Sequence, residues 1–196
     1  FKPTYGRVSR HGLIAMASSL DQIGPIAHTV EDAALIYEAM AGRERYDATT
    51  ADRAVEPMAD VSLKGIRIGV PKEYFGEGLD GRIKESVEAS LLRFEKEGEI
   101  LVEISLQRLS AALPAYYIVM PAEVSANLAR FDGIRYGFRA EEPGDLMSLY
   151  TKTRDQGFGR EAKRRIMIGT YVLSHGYYDA YYVKAQKIRR LIQNDF

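Results

Sequence analysis

The sequence predicts an α/β fold, on three observations. An apolar run ending at Pro71, a helix-spaced stretch and a second, mainly apolar run over Ile100–Ile104 follow one another as β-α-β. A capped helix precedes that unit. Beyond Leu106 the apolar spacing is almost everywhere that of helices.

In chain order, the first segment, up to Pro25, contains Gly and Ser and reads as irregular. Thr29 with Asp32 three residues on resembles a capping box. Val30, Ala33, Ala34, Tyr37 and Met40 or Ala41 then repeat at helical spacing, and Gly42 supplies the stop. Arg43 to Leu63 is polar, acidic and Thr-rich, a long surface connection. Ile66–Val70 reads as a strand, and Ile83, Val87, Leu91 and Phe94 form one face of a helix ending near Gly98. Ile100 to Ile104 reads as a second strand, joined to the first by a parallel, right-handed connection. Helices are then predicted from Pro114 to about Arg130, bent at Pro121, from Asp145 to Arg154, from Arg160 to Ser174, and from Tyr178 onward.

Composition excludes several classes. Twenty-seven basic residues balance twenty-seven acidic ones, so no global field attracts a polyanion. The chain has no cysteine, hence no disulfide framework, which suits a cytoplasmic protein. His11, His28 and His175 stand far apart without metal-ligand spacing, so no metal site is expected. The apolar runs are too short to cross a bilayer. A chain of 196 residues with 46% hydrophobic residues has the material for a real core.

No nucleophile is signalled. Ser18-Ser19 is the only Ser-Ser pair and lacks flanking glycine, so it reads as a packed or turn-forming pair, and there is no Gly-x-Ser-x-Gly elbow. No phosphate-binding glycine motif follows the first strand. Asp21-Gln22-Ile23-Gly24-Pro25 is motif-like. Asp21 is suited to holding a loop through backbone hydrogen bonds, and Asp21 or Gln22 could instead orient a ligand.

Arg165 is the better ligand candidate. Its neighbours at helical spacing, Ile168, Gly169 and Val172, are apolar, and a guanidinium matches a carboxylate with a bidentate fork. The opposing reading is a surface pair with Glu161, four residues earlier. Tyr116 and Tyr117 open another helix, where a phenol could meet a bound ligand or simply pack. In the last segment Tyr178, Tyr181 or Tyr182, Ala185, Ile188 and Ile192 make an apolar stripe beside Lys184, Lys187, Arg189 and Arg190. Packing is the favoured reading over RNA contact.

Phe1–Arg10 continuing to Ser18–Pro25, Phe131-Asp132-Gly133-Ile134-Arg135-Tyr136-Gly137 and Lys163–Thr170 resemble the amidase-signature family, within it the A subunits of glutamyl-tRNA(Gln) amidotransferases. The resemblance covers essentially the whole chain. It implies one partial domain over 1–196 with a mixed sheet covered by helices: 1–106 hold the irregular segment, helix and β-α-β unit, and 107–196 are mainly helical. The family's lysine, cis-serine and nucleophilic serine all precede the position matching Phe1, so no catalytic residue is expected here and the chain alone is expected to be inactive. The implied substrate-binding residues are Arg165, on glutamine's carboxylate, Tyr116, and Asp21 or Gln22 near the pocket. The implied partners are glutamine, amidotransferase subunits B and C, and Glu-tRNA(Gln) through the complex. ATP and Mg would be used by one of those partners, with no cofactor in this chain. Two rivals stand beside this reading: a noncatalytic protein-interaction module with the same fold, and another hydrolase of the family.

Overall fold

The computed structural model describes residues 1–57, 62–141 and 144–196. Two compact units interleave along the chain: Phe1–Met58 with Tyr116–Lys184, and Ala59–Ala115 with Ala185–Phe196.

In the first unit, α1 (Val30–Met40) starts as its sequence requires, with the Thr29 hydroxyl accepting from the Asp32 amide at 3.1 Å. At its end, Ala41 pairs with Val8 in an isolated antiparallel bridge. The connection that follows is pinned rather than free: Arg7 donates to the carbonyls of Arg53 and Ala54 at 3.1 and 2.7 Å. Residues 58–61 of that connection lie outside the described residues.

The second unit is built on β1 (Arg67–Pro71), α2 (Gly81–Glu97) and β2 (Ile100–Ile104), the two strands pairing in parallel from Arg67↔Ile100 to Pro71↔Ile104. Pro71, expected just beyond the strand, occupies its last position. An edge place tolerates the missing N–H. Asp80 caps α2 through the Arg82 amide, and Gly98 ends it at φ 105, a left-handed conformation that disfavours any residue with a Cβ.

The remaining helices are α3 (Ala112–Leu128), α4 (Leu146–Gly157), α5 (Arg160–Leu173) and α6 (Lys184–Gln193). α3 continues through Pro121. It is apolar on nearly all sides, with Ala115, Val119, Met120, Ala122 and Val124 buried, as expected of a central helix. Asp145 caps α4 through the Ser148 amide at 2.7 Å. The last helical stretch opens with a π-type turn over Tyr178–Val183 before α6. Of the predicted stripe, Ala185 is buried and Tyr182, Ile188 and Ile192 half-buried, whereas Tyr178 and Tyr181 are exposed. Among the described residues no helix is long and apolar enough to cross a membrane.

The segment between α3 and α4 is held by one buried and two partly buried polar contacts. The Thr153 hydroxyl accepts from the buried Ala140 amide at 3.1 Å, and Arg154 donates to the carbonyls of Leu128 and Phe131 at 3.0 and 3.1 Å. Thr153→Val keeps the shape but leaves that amide unpaired. It is expected to cost about 1–3 kcal/mol, read as a lower denaturant midpoint with an unchanged m-value.

Much apolar surface is uncovered. The accessible area is 14259 Å². A compact monomer of 22.0 kDa exposes about 9,300 Å², and two separate units of these sizes about 11,100 Å² together. Parallel strands are normally buried on both faces, yet neither β1, β2 nor α2 has a fully buried residue.

Candidate functional site

Tyr116, Met120, Glu123 and Asn127 lie at spacings of four, three and four residues along α3, which places them on one helical face. This face organises the site. Its first turns meet Arg165 of α5, and its last turns hold the loop that contains Asp21 and Gln22.

At the first end, Arg165 Nε donates to Glu161 Oε1 at 2.9 Å, and Nη1 to Met120 Sδ at 3.5 Å. The Arg165 side chain is 23% exposed. Burial opposes the charge, but the hydrogen bond and charge of Glu161, with the Tyr116 phenol beside the guanidinium, outweigh it and raise the pKa. Arg165 is therefore a permanent cation in a partly dry place. Tyr116 stacks edge-to-face on Tyr117 at 5.3 Å. The two α5 neighbours Gly169 and Val172 are buried, while Ile168 is exposed.

At the other end, Ser19 donates its amide at 2.9 Å and its hydroxyl to the two oxygens of Glu123. Asn127 Nδ2 donates to the Met16 carbonyl at 3.1 Å and to Ser18 Oγ at 2.9 Å. Asp21 turns its carboxylate back on its own loop, accepting from the amides of Met16 and Ala17 at 2.9 and 3.0 Å. Gln22 Nε2 bonds the Ile23 carbonyl at 2.7 Å. The loop is thus a clamped wall. Ala17 packs with Met120 and Val124 in a core cluster that Ile166 joins, linking the two ends through α3.

A cleft of about 160 Å³ opens beside this loop, lined by Arg10, Leu13, Ser18, Asp21, Tyr46 and Asp47 among others. Arg10 braces it: Nη1 donates to the Ser18 carbonyl at 2.5 Å and Nη2 to Thr49 Oγ1 at 3.0 Å, and its guanidinium lies 4.9 Å from the Tyr5 ring centre. Asp47 accepts from the Thr49 hydroxyl at 2.6 Å and from the Arg10 and Thr49 amides at 2.8 and 3.0 Å. These bonds, the hydroxyl first, and then the Arg10 charge overcome burial and lower its pKa from 3.8 to about 2.

A carboxyl with a depressed folded-state pKa contributes stability that is complete above its unfolded value and lost as pH falls through the folded one. For Asp47 that window runs from about pH 4 down to about 2. Asp47→Asn is expected to lower the melting temperature at neutral pH and to flatten its acid-side fall across this window, as thermal melts at graded pH would record.

Arg165 and Tyr116 come together, whereas Asp21 and Gln22 face their own loop. Glu123 and Asn127 join the site without having stood out in the sequence. Their only sequence signal is a polar pair at helical spacing within a mainly apolar helix. Among the described residues no group of three or more His, Asp or Glu side chains could hold a metal ion.

A family model described as "Amidase" matches residues 1–196. The A subunit of glutamyl-tRNA(Gln) amidotransferase from Pseudomonas putida (strain W619) is 60% identical over 198 residues, covering 100% of this chain and 41% of that protein. Its counterpart of the same name from Coxiella burnetii (strain Dugway 5J108-111) is 58% identical with the same coverage. The chain therefore spans about two fifths of the length of these relatives. Among solved structures, the A subunit of glutamyl-tRNA(Gln) amidotransferase from Thermotoga maritima superposes with a TM-score of 0.72 at 38% identity, over 99% of this chain and 38% of that one. The native peptide amidase of Stenotrophomonas maltophilia superposes with a TM-score of 0.61 at 26% identity, over 93% of this chain and 38% of that one.

Proposed function

The chain belongs to the amidase family, and on that premise we propose that it forms the carboxylate-binding side of a glutaminase site. The whole protein would release ammonia from glutamine, and the assembled ligase would convert Glu-tRNA(Gln) to Gln-tRNA(Gln). The similarity to A subunits of glutamyl-tRNA(Gln) amidotransferases supports this reading. Subunits B and C would be its cytoplasmic partners, one of them using ATP and Mg.

The observation that carries the proposal is Arg165: a half-buried cation, tethered by Glu161 and flanked by Tyr116. Such a group binds a carboxylate bidentately because its planar fork matches the two oxygens. Asp21 and Gln22 would act by shaping the loop, since their side chains are already bonded within it.

These 196 residues by themselves are proposed to be inactive. The Ser18 and Ser19 hydroxyls are bonded to Asn127 and Glu123, and these bonds tie their loop to α3. The test exchanges the matching segment of the Pseudomonas putida relative for this chain and measures ammonia from glutamine, beside the 196-residue chain alone. Ammonia is expected from the exchanged protein only. Release by the chain alone would overturn its inactivity, and a folded, assembled exchange protein with no release would overturn its place in the site.

The uncovered apolar surface favours a second reading, a noncatalytic interaction module. That reading expects the exchanged protein to assemble with its partners whether or not Arg165 is intact, with no effect of Arg165 on glutamine use.

A further inference from the structure

An arginine side chain offers five N–H donors, and a carboxylate can engage it side-on through Nε and one terminal nitrogen or end-on through both terminal nitrogens. Glu161 has already taken Nε of Arg165, at 2.9 Å. Nη1 donates to the Met120 thioether at 3.5 Å, a weak acceptor, and the neutral Tyr116 phenol also hydrogen-bonds the guanidinium. Away from Nε the guanidinium meets only neutral partners, a thioether and a phenol, so the end-on edge is the one a carboxylate could claim. Glu161 is itself restrained, because its Oε2 lies 3.4 Å from Arg164 Nη1. The two arginines differ in environment: the Arg164 side chain is 62% exposed and that of Arg165 23%. Arg164 thus offsets the Glu161 charge on the solvent side, while Arg165 carries its own charge toward α3.

Resting on the carboxylate-binding reading of Arg165, we propose that Glu161 is a positioning residue that holds Arg165 by Nε and leaves its terminal-nitrogen edge for the carboxylate of glutamine. A long side chain ordered before binding loses less freedom when the ligand arrives. Arg164 keeps Glu161 from repelling the incoming carboxylate. The opposing account is an ordinary surface pair at four-residue spacing, which helps the helix slightly and does nothing for the ligand.

The test uses a full-length amidotransferase A subunit carrying these 196 residues, in its assembled complex, with kcat and KM for glutamine measured in Glu161→Ala, Glu161→Gln, Arg165→Ala and the Glu161→Ala/Arg165→Ala double variant. Glu161→Ala is expected to raise KM about tenfold with kcat nearly unchanged, the size of one hydrogen bond to a charged group. Glu161→Gln, which keeps the acceptor oxygen, is expected to restore most of the loss. In the Arg165→Ala background, Glu161→Ala is expected to add nothing, because the residue it positions is gone.

If Arg165→Ala leaves KM unchanged, the carboxylate reading fails and this role with it. If Arg165→Ala raises KM while Glu161→Ala leaves it unchanged or lowers it, the positioning role alone is overturned. A lowered KM would mark Glu161 as a competitor for Arg165. A KM rise that persists in the Arg165→Ala background would mark general damage to α5, and that too overturns the proposal.

Discussion

Gly169→Ala is expected to be the most destabilising single-methyl change in this protein. A Cβ at Gly169 would sit 1.9 Å from the Pro121 carbonyl oxygen, 2.5 Å from its carbon and 2.8 Å from Ser125 Oγ. The first two are backbone atoms of α3, which no rotamer change can move aside. α3 and α5 must separate, or α5 must rotate its buried Val172 out of place. Alanine's better helix propensity returns about 1 kcal/mol. Overpacking against fixed backbone costs more, so a net loss of about 3 kcal/mol is expected. Urea unfolding of the two proteins would measure it. Gly159→Ala is the control, since a Cβ there meets nothing within 4 Å and φ is −66. A midpoint for Gly169→Ala equal to that of the control would refute the close approach of the two helices. Tyr116 and Met120 ride on α3 and Arg165 on α5, so separation would also pull the candidate clamp apart.

Arg165→Ala should have the largest effect on ligand use. Removing a partly buried, charge-paired guanidinium from a carboxylate site costs about 2–5 kcal/mol. In the segment-exchanged enzyme this appears as a KM for glutamine raised about 100-fold or more, with a smaller change in kcat. Arg165→Lys is expected to recover little. A lysine ammonium is one compact charge and lacks a planar fork, so it cannot both satisfy Glu161 and grip two ligand oxygens. A KM within twofold of the parent in Arg165→Ala would remove Arg165 from the site, and the same result in Arg165→Lys would show that a charge without the planar fork suffices.

The sequence was most informative where the deciding interaction is local. Thr29 and Asp145 bond amides three residues away, and Gly98 ends α2 through its own dihedral, so α1, α2 and α4 could be read without knowledge of the fold. The β-α-β unit is equally local in its periodicities, and its parallel pairing follows from the length of the connection. The Glu161–Arg165 pair was visible for the same reason, a spacing of four. Smaller differences arise at element ends. α3 starts at Ala112 rather than Pro114, and the final helix opens with a π-type turn, because neighbouring turns decide how an end is hydrogen-bonded.

The candidate site required more. Glu123 reaches Ser19 across 104 residues and Asn127 reaches Ser18 across 109. Nothing in a helix heptad announces which distant loop its polar face will meet. Gly169 looks like one more small residue in a helix until the carbonyl of α3 against it is seen.

The amino-acid order alone determined the helices, the strands, their caps and the family resemblance, since these rest on dihedral preferences, short hydrogen bonds and spacing within a few residues. Only the folded chain decided that Tyr116, Met120 and Arg165 share one place and that the Asp21 carboxylate faces its own loop. Those outcomes depend on which buried surfaces meet, and packing between segments a hundred residues apart leaves no periodic trace in the chain.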